Sequence, residues 1–257
     1  MIPKIIHYCW ISNDPVPQQF EEYITGWKNK LKEYDFVKWD FSKFDKSSSV
    51  WVSEAFNSKK YAFAADYIRL YAIYNYGGIY LDMDIEVIKA FDELLDREYM
   101  MAVERPNEPW IEAGCFGAEK GNYFIGKCLE YYKGKHFILS DGSFDQLPLP
   151  KVMEKVRNIN GLNLNLYPWY YFTAKSYHTG IETPTKDTFC IHHFAGSWKT
   201  KEEREDFEVS KKYCKVFGNK LGYNIAEYLG AGKRYGIKGI YALTLKKIRR
   251  KTKMINK

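Results

Sequence analysis

The order of the sequence patterns predicts an α/β protein: a mixed, mostly parallel sheet flanked by helices, with ligands at the carboxyl ends of the strands. Three observations carry this. Apolar runs of strand length alternate with stretches whose apolar residues recur every three or four positions. The 257 residues, 46% hydrophobic and 18% aromatic, suffice for one substantial core. An apolar run also ends in two acids one residue apart, Asp82-Met83-Asp84.

Taken in order, Lys4 to Trp10 reads as the first strand. Asn13-Asp14-Pro15 and Pro17 then break structure. A helix is expected over Gln19 to Lys32 and a strand over Phe36 to Asp40. Lys59 to Asn75 reads as a helix, because Phe63, Tyr67, Leu70, Tyr71 and Tyr74 recur at helical steps. Gly77-Gly78 supplies a permissive turn into a strand through Tyr80. Leu94 to Val103 leads to another strand, helices follow over Asn122 to Tyr132 and Lys151 to Val156, and Leu162 to Tyr167 and Phe189 to His193 read as strands. By length, residues 1–220 form one domain and 221–257 a basic extension that can be helical.

In an extended strand, Asp82 and Asp84 project from one face. Their mutual repulsion is relieved by a divalent cation with a taste for oxygen ligands. Asp66 and Arg69 are neighbours on one face of their helix. With few other charges around them they are expected to be partly buried, and buried charges need partners. The same features also fit an exposed strand end and a surface ion pair, so the residues alone leave both readings open.

Ala65-Asp66-Tyr67-Ile68-Arg69-Leu70 followed by Tyr76-Gly77-Gly78-Ile79-Tyr80-Leu81-Asp82-Met83-Asp84 closely resembles the core motif of family 32 glycosyltransferases. That family has a sugar-binding region containing a DXD motif, and it includes fungal initiating mannosyltransferases and bacterial capsule and lipopolysaccharide enzymes. The spacing is also similar to that of the clostridial glucosylating toxins, which share the GT-A fold. Ile2-Pro3-Lys4-Ile5-Ile6-His7-Tyr8-Cys9-Trp10-Ile11 resembles the family's opening strand, and Ile191-His192-His193-Phe194-Ala195-Gly196-Ser197-Trp198 its closing element.

The resemblance implies a GT-A nucleotide-sugar fold and a retaining, metal-dependent transfer. Asp84 is expected to ligate Mn²⁺ or Mg²⁺, with Asp82 on the ribose or on the metal through water. His193 resembles the third metal ligand of other retaining GT-A enzymes, while His192, on the opposite face of the strand, is expected to be structural. Trp198 resembles the indole that reaches the diphosphate, and Trp10 the ring that stacks on uracil, hence a UDP-sugar donor. Asp66 and Arg69 would grip sugar hydroxyls. Cys9, Tyr80 and Ser197 complete the implied donor site, Tyr80 either lining the pocket or packing beneath it. Glu104 and Glu112 stay open as nucleophiles, with front-face displacement favoured. The acceptor is expected to be a polysaccharide or lipid-linked glycan in cell-surface synthesis. A phosphotransferase or hydrolase, or a non-catalytic sugar-binding protein, are the competing classes.

Five cysteines without metal spacing point to reduced thiols. The apolar run Ile5 to Ile11 is too short for a signal peptide, and no stretch reaches the ~18 apolar residues of a membrane span. A cytoplasmic setting is therefore expected. Charge is uneven: ten Lys or Arg and no acid lie between Lys233 and Lys257, which leaves −3 for the rest of a chain of net +7. Interleaved with Ile237, Ile240, Leu243 and Ile248, they read either as a solvated tail or as an amphipathic helix on the inner, anionic membrane surface. Nucleic acid is not expected, since no recognition motif accompanies the charge.

Overall fold

The computed structural model describes residues 1–106, 110–196 and 199–255, with side chains through 245 apart from residue 201. Two compact units divide it: residues 1–175 with 182–198, and 176–181 with 199–257. The second unit therefore takes in residues 176–181 and 199–220 besides the stretch from 221 that the sequence reading sets apart.

The first unit is mixed α/β. Its elements run β1 (Ile5–Cys9), α1 (Gln18–Lys30), β2 (Asp35–Trp39), α2 (Val50–Asn57), α3 (Tyr61–Tyr76), β3 (Gly78–Leu81), β4 (Ile85–Val87), β5 (Tyr99–Met100), β6 (Cys115–Ala118), α4 (Tyr123–Tyr132), α5 (Leu149–Ile159) and β7 (Cys190–His192). The main sheet has the order β2-β1-β3-β6-β5. β1 is parallel to β2 and β3, and β6 is antiparallel to both its neighbours, so four of five strands run one way. β4 and β7 form a separate antiparallel pair.

Strand alternation sorts the core into two layers. Tyr80, Phe116 and Ala118 face a cluster with α2 to α5, around Trp51, Ile68, Phe124 and Val152. Ile6, Ile79, Leu81 and Cys115 face the other cluster, around Trp27, Phe91 and Phe172. α1 docks there through Phe20, Tyr23, Ile24 and Trp27, spaced for one helical face. Trp27 is fully buried and its indole N–H donates to the Ile85 carbonyl at 2.7 Å. Truncating so large a core side chain costs ~3–5 kcal/mol.

The turn between α3 and β3 requires glycine. Gly77 and Gly78 have φ of 68° and 104°, and a Cβ on Gly78 would lie 2.6 Å from the Ile5 carbonyl oxygen. Buried His7 clamps this turn. Its Nε2–H donates to the Gly77 carbonyl at 2.8 Å, while Nδ1 accepts from the Trp39 indole at 3.0 Å. Burial lowers His7 to about 4, so the ring is neutral.

Several expectations are corrected. Leu162 to Tyr167 is not a strand: only Tyr167 pairs, in one bridge to Ala102. Pro168, which lacks an N–H, keeps the pairing from continuing past Tyr167. α2, absent from the sequence reading, starts at Ser49, whose side chain caps the Val52 N–H at 3.3 Å. β6, the antiparallel strand, was also unread.

In the second unit, α6 (Lys201–Ile255) turns at Gly218 and Gly236, where φ is 74° and 58°. Phe207, Ser210, Cys214, Gly222 and Ala226 are its buried residues among those described, and Asp206 and Arg234 form a two-pronged ion pair at 2.6 and 2.7 Å. Among the described residues no helix is long and apolar enough to cross a membrane.

Candidate active site

The site grows from α3 and the turn after β3. α3 is apolar through Ala64, Ile68, Leu70 and Ile73, and buries Asp66 and Arg69 among them. Pairing makes this tolerable. Arg69 Nη2 lies 3.2 Å from Asp66 Oδ1, and Nη1 lies 3.1 Å from Asp82 Oδ2. Nη1 also donates to the Ala113 carbonyl at 2.8 Å, and the guanidinium sits 4.6 Å from the centre of the Tyr80 ring. A planar fork thus holds two carboxylates at once. Tyr80 packs beneath the site, almost fully buried, and its hydroxyl donates to Asp82 Oδ1 at 3.1 Å.

Electrostatics follow from depth. Burial pushes Asp66 up to about 7 although Arg69 opposes it; Asp66 also accepts from the Leu149 N–H at the start of α5. Burial likewise raises Asp82 against Arg69. Burial would raise Asp84 as well, but His192 and the Ala195 N–H, 2.7 Å from Oδ2, outweigh it and hold Asp84 below its ordinary value.

β3 stops at Leu81, so Asp82 and Asp84 do not extend a strand as alternation would have it. They flank a turn closed by the Ile85 N–H on the Asp82 carbonyl at 3.0 Å. The turn still gathers them: ligand atoms of Asp82, Asp84 and His192 all lie within 4.8 Å of one another.

The histidine brought to the acid pair is His192, not His193. Alternation does separate the two rings, but in the phase opposite to the one expected. His192 Nε2 lies 3.5 Å from Asp84 Oδ1, and Nδ1 lies 3.0 Å from Glu112 Oε1. His193 turns away and stacks on Tyr23 at 5.0 Å. Its Nδ1 accepts from Lys175 Nζ at 2.9 Å and its Nε2 meets Glu86 Oε2 at 3.0 Å, so both nitrogens are engaged.

Glu112, left open by the sequence as a nucleophile, is instead the residue that holds His192. It is buried, and it accepts from the Gly114 N–H, the Thr173 hydroxyl at 3.0 Å and His192. A carboxylate on Nδ1–H turns Nε2 toward the acids, which is how outer partners orient metal-binding histidines. An acid inside the apolar run Trp110 to Ala118 was the available signal. Burial lowers the basicity of His192, but the charges of Glu112 and Asp84 outweigh it and hold the ring well above its ordinary value. Two carboxylates and one oriented imidazole fit a hard divalent ion such as Mn²⁺ or Mg²⁺.

Of the other expected donor contacts, Cys9 sits within the field of Arg69, Asp82 and Asp66, with its thiol pushed up to about 12 by burial. Trp10 lies at the end of β1, edge-on to Phe20 at 6.3 Å, and its indole donates to the Asp14 carbonyl at 2.9 Å. Ser197 and Trp198 lie outside the described residues.

Residues 17–101 match the family model described as a glycosyltransferase sugar-binding region containing a DXD motif. The inositol phosphoceramide mannosyltransferase 3 of Schizosaccharomyces pombe is 30% identical over 128 residues, 48% of this chain and 35% of that protein. The mannosyl phosphorylinositol ceramide synthase CSH1 of Saccharomyces cerevisiae is 32% identical over 99 residues, 37% and 26% of the two chains. The chain thus spans about a third or less of the length of these curated relatives. Among solved structures, the PaToxG glycosyltransferase covers 62% of this chain and 70% of its own, at 20% identity and TM-score 0.46. The galactosyltransferase LgtC, solved with donor and acceptor sugar analogs, covers 86% and 95% at 13% identity and TM-score 0.45. The matched stretch holds both the DXD turn and the Asp66–Arg69 pair, so over residues 17–101 this chain is similar to a glycosyltransferase sugar-binding region containing a DXD motif.

Proposed function

We propose that the chain is a retaining, metal-dependent glycosyltransferase of GT-A type. It moves a sugar from a nucleotide donor, by preference a UDP-sugar, to a glycan or lipid-linked acceptor. The observation that carries this is the convergence of Asp82, Asp84 and His192 beside the buried Asp66–Arg69 pair. Asp82, Asp84 and His192 would hold Mn²⁺ or Mg²⁺, which when bound would stabilise negative charge on the departing diphosphate. Asp66 accepts from sugar hydroxyls. Arg69 keeps a buried Nε–H without a hydrogen-bond partner among the described residues, a donor for the bound sugar or phosphate. Trp10 offers a ring to the base.

Glu112 is fully used by His192, Gly114 and Thr173, which makes it a poor nucleophile. That favours front-face displacement: the acceptor hydroxyl attacks on the side the diphosphate leaves, and the leaving phosphate takes the proton. Catalysis is then positioning and charge stabilisation. The names of the fungal relatives include a phosphoinositol lipid, so a lipid acceptor fits as well as a capsule- or lipopolysaccharide-type glycan. We place the enzyme in the cytoplasm, at the inner face of the membrane.

Calorimetric titration of UDP with and without Mn²⁺ tests the reading, followed by a donor screen for released nucleoside diphosphate. Metal-dependent binding and turnover are expected, both lost in Asp84→Asn. Binding without turnover of any donor would identify a sugar-binding protein, and no metal-dependent UDP binding would point to a phosphotransferase or hydrolase.

A further inference from the structure

The acceptor half of the reaction has no partner in the site so far, and Glu104, Arg105, Trp110 and the start of α5 offer one. We propose that Arg105 and Lys151, both carried on the ring of Trp110 beside Glu104, form a subsite for a phosphate group on the acceptor. This rests on the glycosyltransferase reading and names its acceptor class.

Trp110 is fixed by its backbone. The Glu104 N–H donates to its carbonyl at 2.7 Å, next to the bridge between Val103 and Ile111. The Arg105 guanidinium and the Lys151 ammonium each lie 5.0 Å from the centre of its indole ring. One indole ring therefore gathers two cations that repel each other, and an anion bridging them would relieve that repulsion. Lys151 has no carboxylate partner among the described residues, and it stands in a first helical turn without acids, whose dipole adds positive potential.

Arg105 does meet a carboxylate, with Nε 2.9 Å from Glu104 Oε2. Yet Glu104 is buried, and burial followed by the nearby Glu112 pushes it up to about 7, so it cancels only part of that charge near neutrality. A guanidinium fork and an ammonium on the same indole suit a phosphate, with its three oxygens and up to two charges, better than a carboxylate.

Two links tie these residues to the donor site. Glu104 lies in the field of Glu112 and His192. Leu149, two residues before Lys151, donates its N–H to Asp66. A phosphate held there would leave the rest of the acceptor beside the donor sugar.

The test uses full-length protein labelled with 5-fluorotryptophan, without donor or metal, and Trp110→Phe to assign the Trp110 resonance. Inositol 1-phosphate should move that resonance saturably. Inositol should not, and glucuronate should act only at ~10-fold higher concentration or more. Arg105→Gln with Lys151→Gln should weaken the phosphate response ~10-fold or more, with melting temperature and Mn²⁺-dependent UDP binding unchanged. No response to the phosphate probe, an equal response to inositol, a stronger one to glucuronate, or an unchanged response in the double variant would each overturn the proposal. Failure of the enzymatic reading would appear instead as absent Mn²⁺-dependent UDP binding, which this titration does not use.

Discussion

Glu112→Gln isolates one charge in the candidate metal site. Glu112 accepts from three buried donors: the Gly114 N–H, His192 Nδ1–H and the Thr173 hydroxyl. In the glutamine variant the amide oxygen keeps the first two. The amide NH₂ then faces Thr173, whose hydroxyl can rotate to accept it. Every partner stays satisfied, so the fold should survive. What disappears is the negative charge that makes the His192 ring a better donor. Loss of such an outer partner typically costs 10–100-fold in metal affinity, which is ~1.4–2.7 kcal/mol. Glu112→Ala differs in kind, since it strands three buried donors at ~1–3 kcal/mol each and should lower stability by several kcal/mol. Mn²⁺ binding is read by the paramagnetic resonance signal of the free ion, alongside thermal melts. If Glu112→Gln binds Mn²⁺ as tightly as wild type while His192→Ala binds it weakly, Glu112 does not orient the ring. If His192→Ala also binds normally, the metal set itself is wrong.

Trp10→Ala should weaken UDP binding by ~1–3 kcal/mol, the usual worth of a base-stacking aromatic; unchanged calorimetric affinity in a folded variant would leave Trp10 as packing against Phe20. Asp66 is raised from 3.8 to about 7, so the folded chain holds a proton that the unfolded chain has released. This group's contribution is full below about pH 4 and is lost as pH rises through 7. Urea unfolding at pH 5 and pH 7.5 should show a smaller fall in stability for Asp66→Asn than for wild type, and equal slopes would refute the shift. The exposed Ile237 and Tyr241, set among basic residues, should bring full-length protein down with anionic but not neutral vesicles, each Lys or Arg adding ~1 kcal/mol. A chain ending at Gly232 should stay in solution with both, and identical behaviour of the two would remove the membrane role.

Some of this site was legible because the physics is local. Charges in an otherwise apolar helix must find partners, so Asp66 and Arg69 announced their own burial, and the Gly-Gly turn announced a backbone no other residue could follow. The main sheet was legible for the same reason: β1, β2 and β3 each show their apolar runs. β6 was not, because Cys115-Phe116-Gly117-Ala118 is short and has no alternation to read, being buried on both faces. The phase of the two histidines was out of reach for a deeper reason. Alternation says that His192 and His193 face apart, but only the register of β7 on β4, with His192 opposite Ile85, decides which ring meets the acids. That register is set by residues a hundred positions upstream. Glu112 follows from the same fact. Its partners Gly114, Thr173 and His192 are scattered over 80 residues, and its function exists only once β6 and β7 are in place. A DXD motif therefore marks where a candidate metal site begins, whereas the residues that would complete and tune it are properties of the assembled sheet.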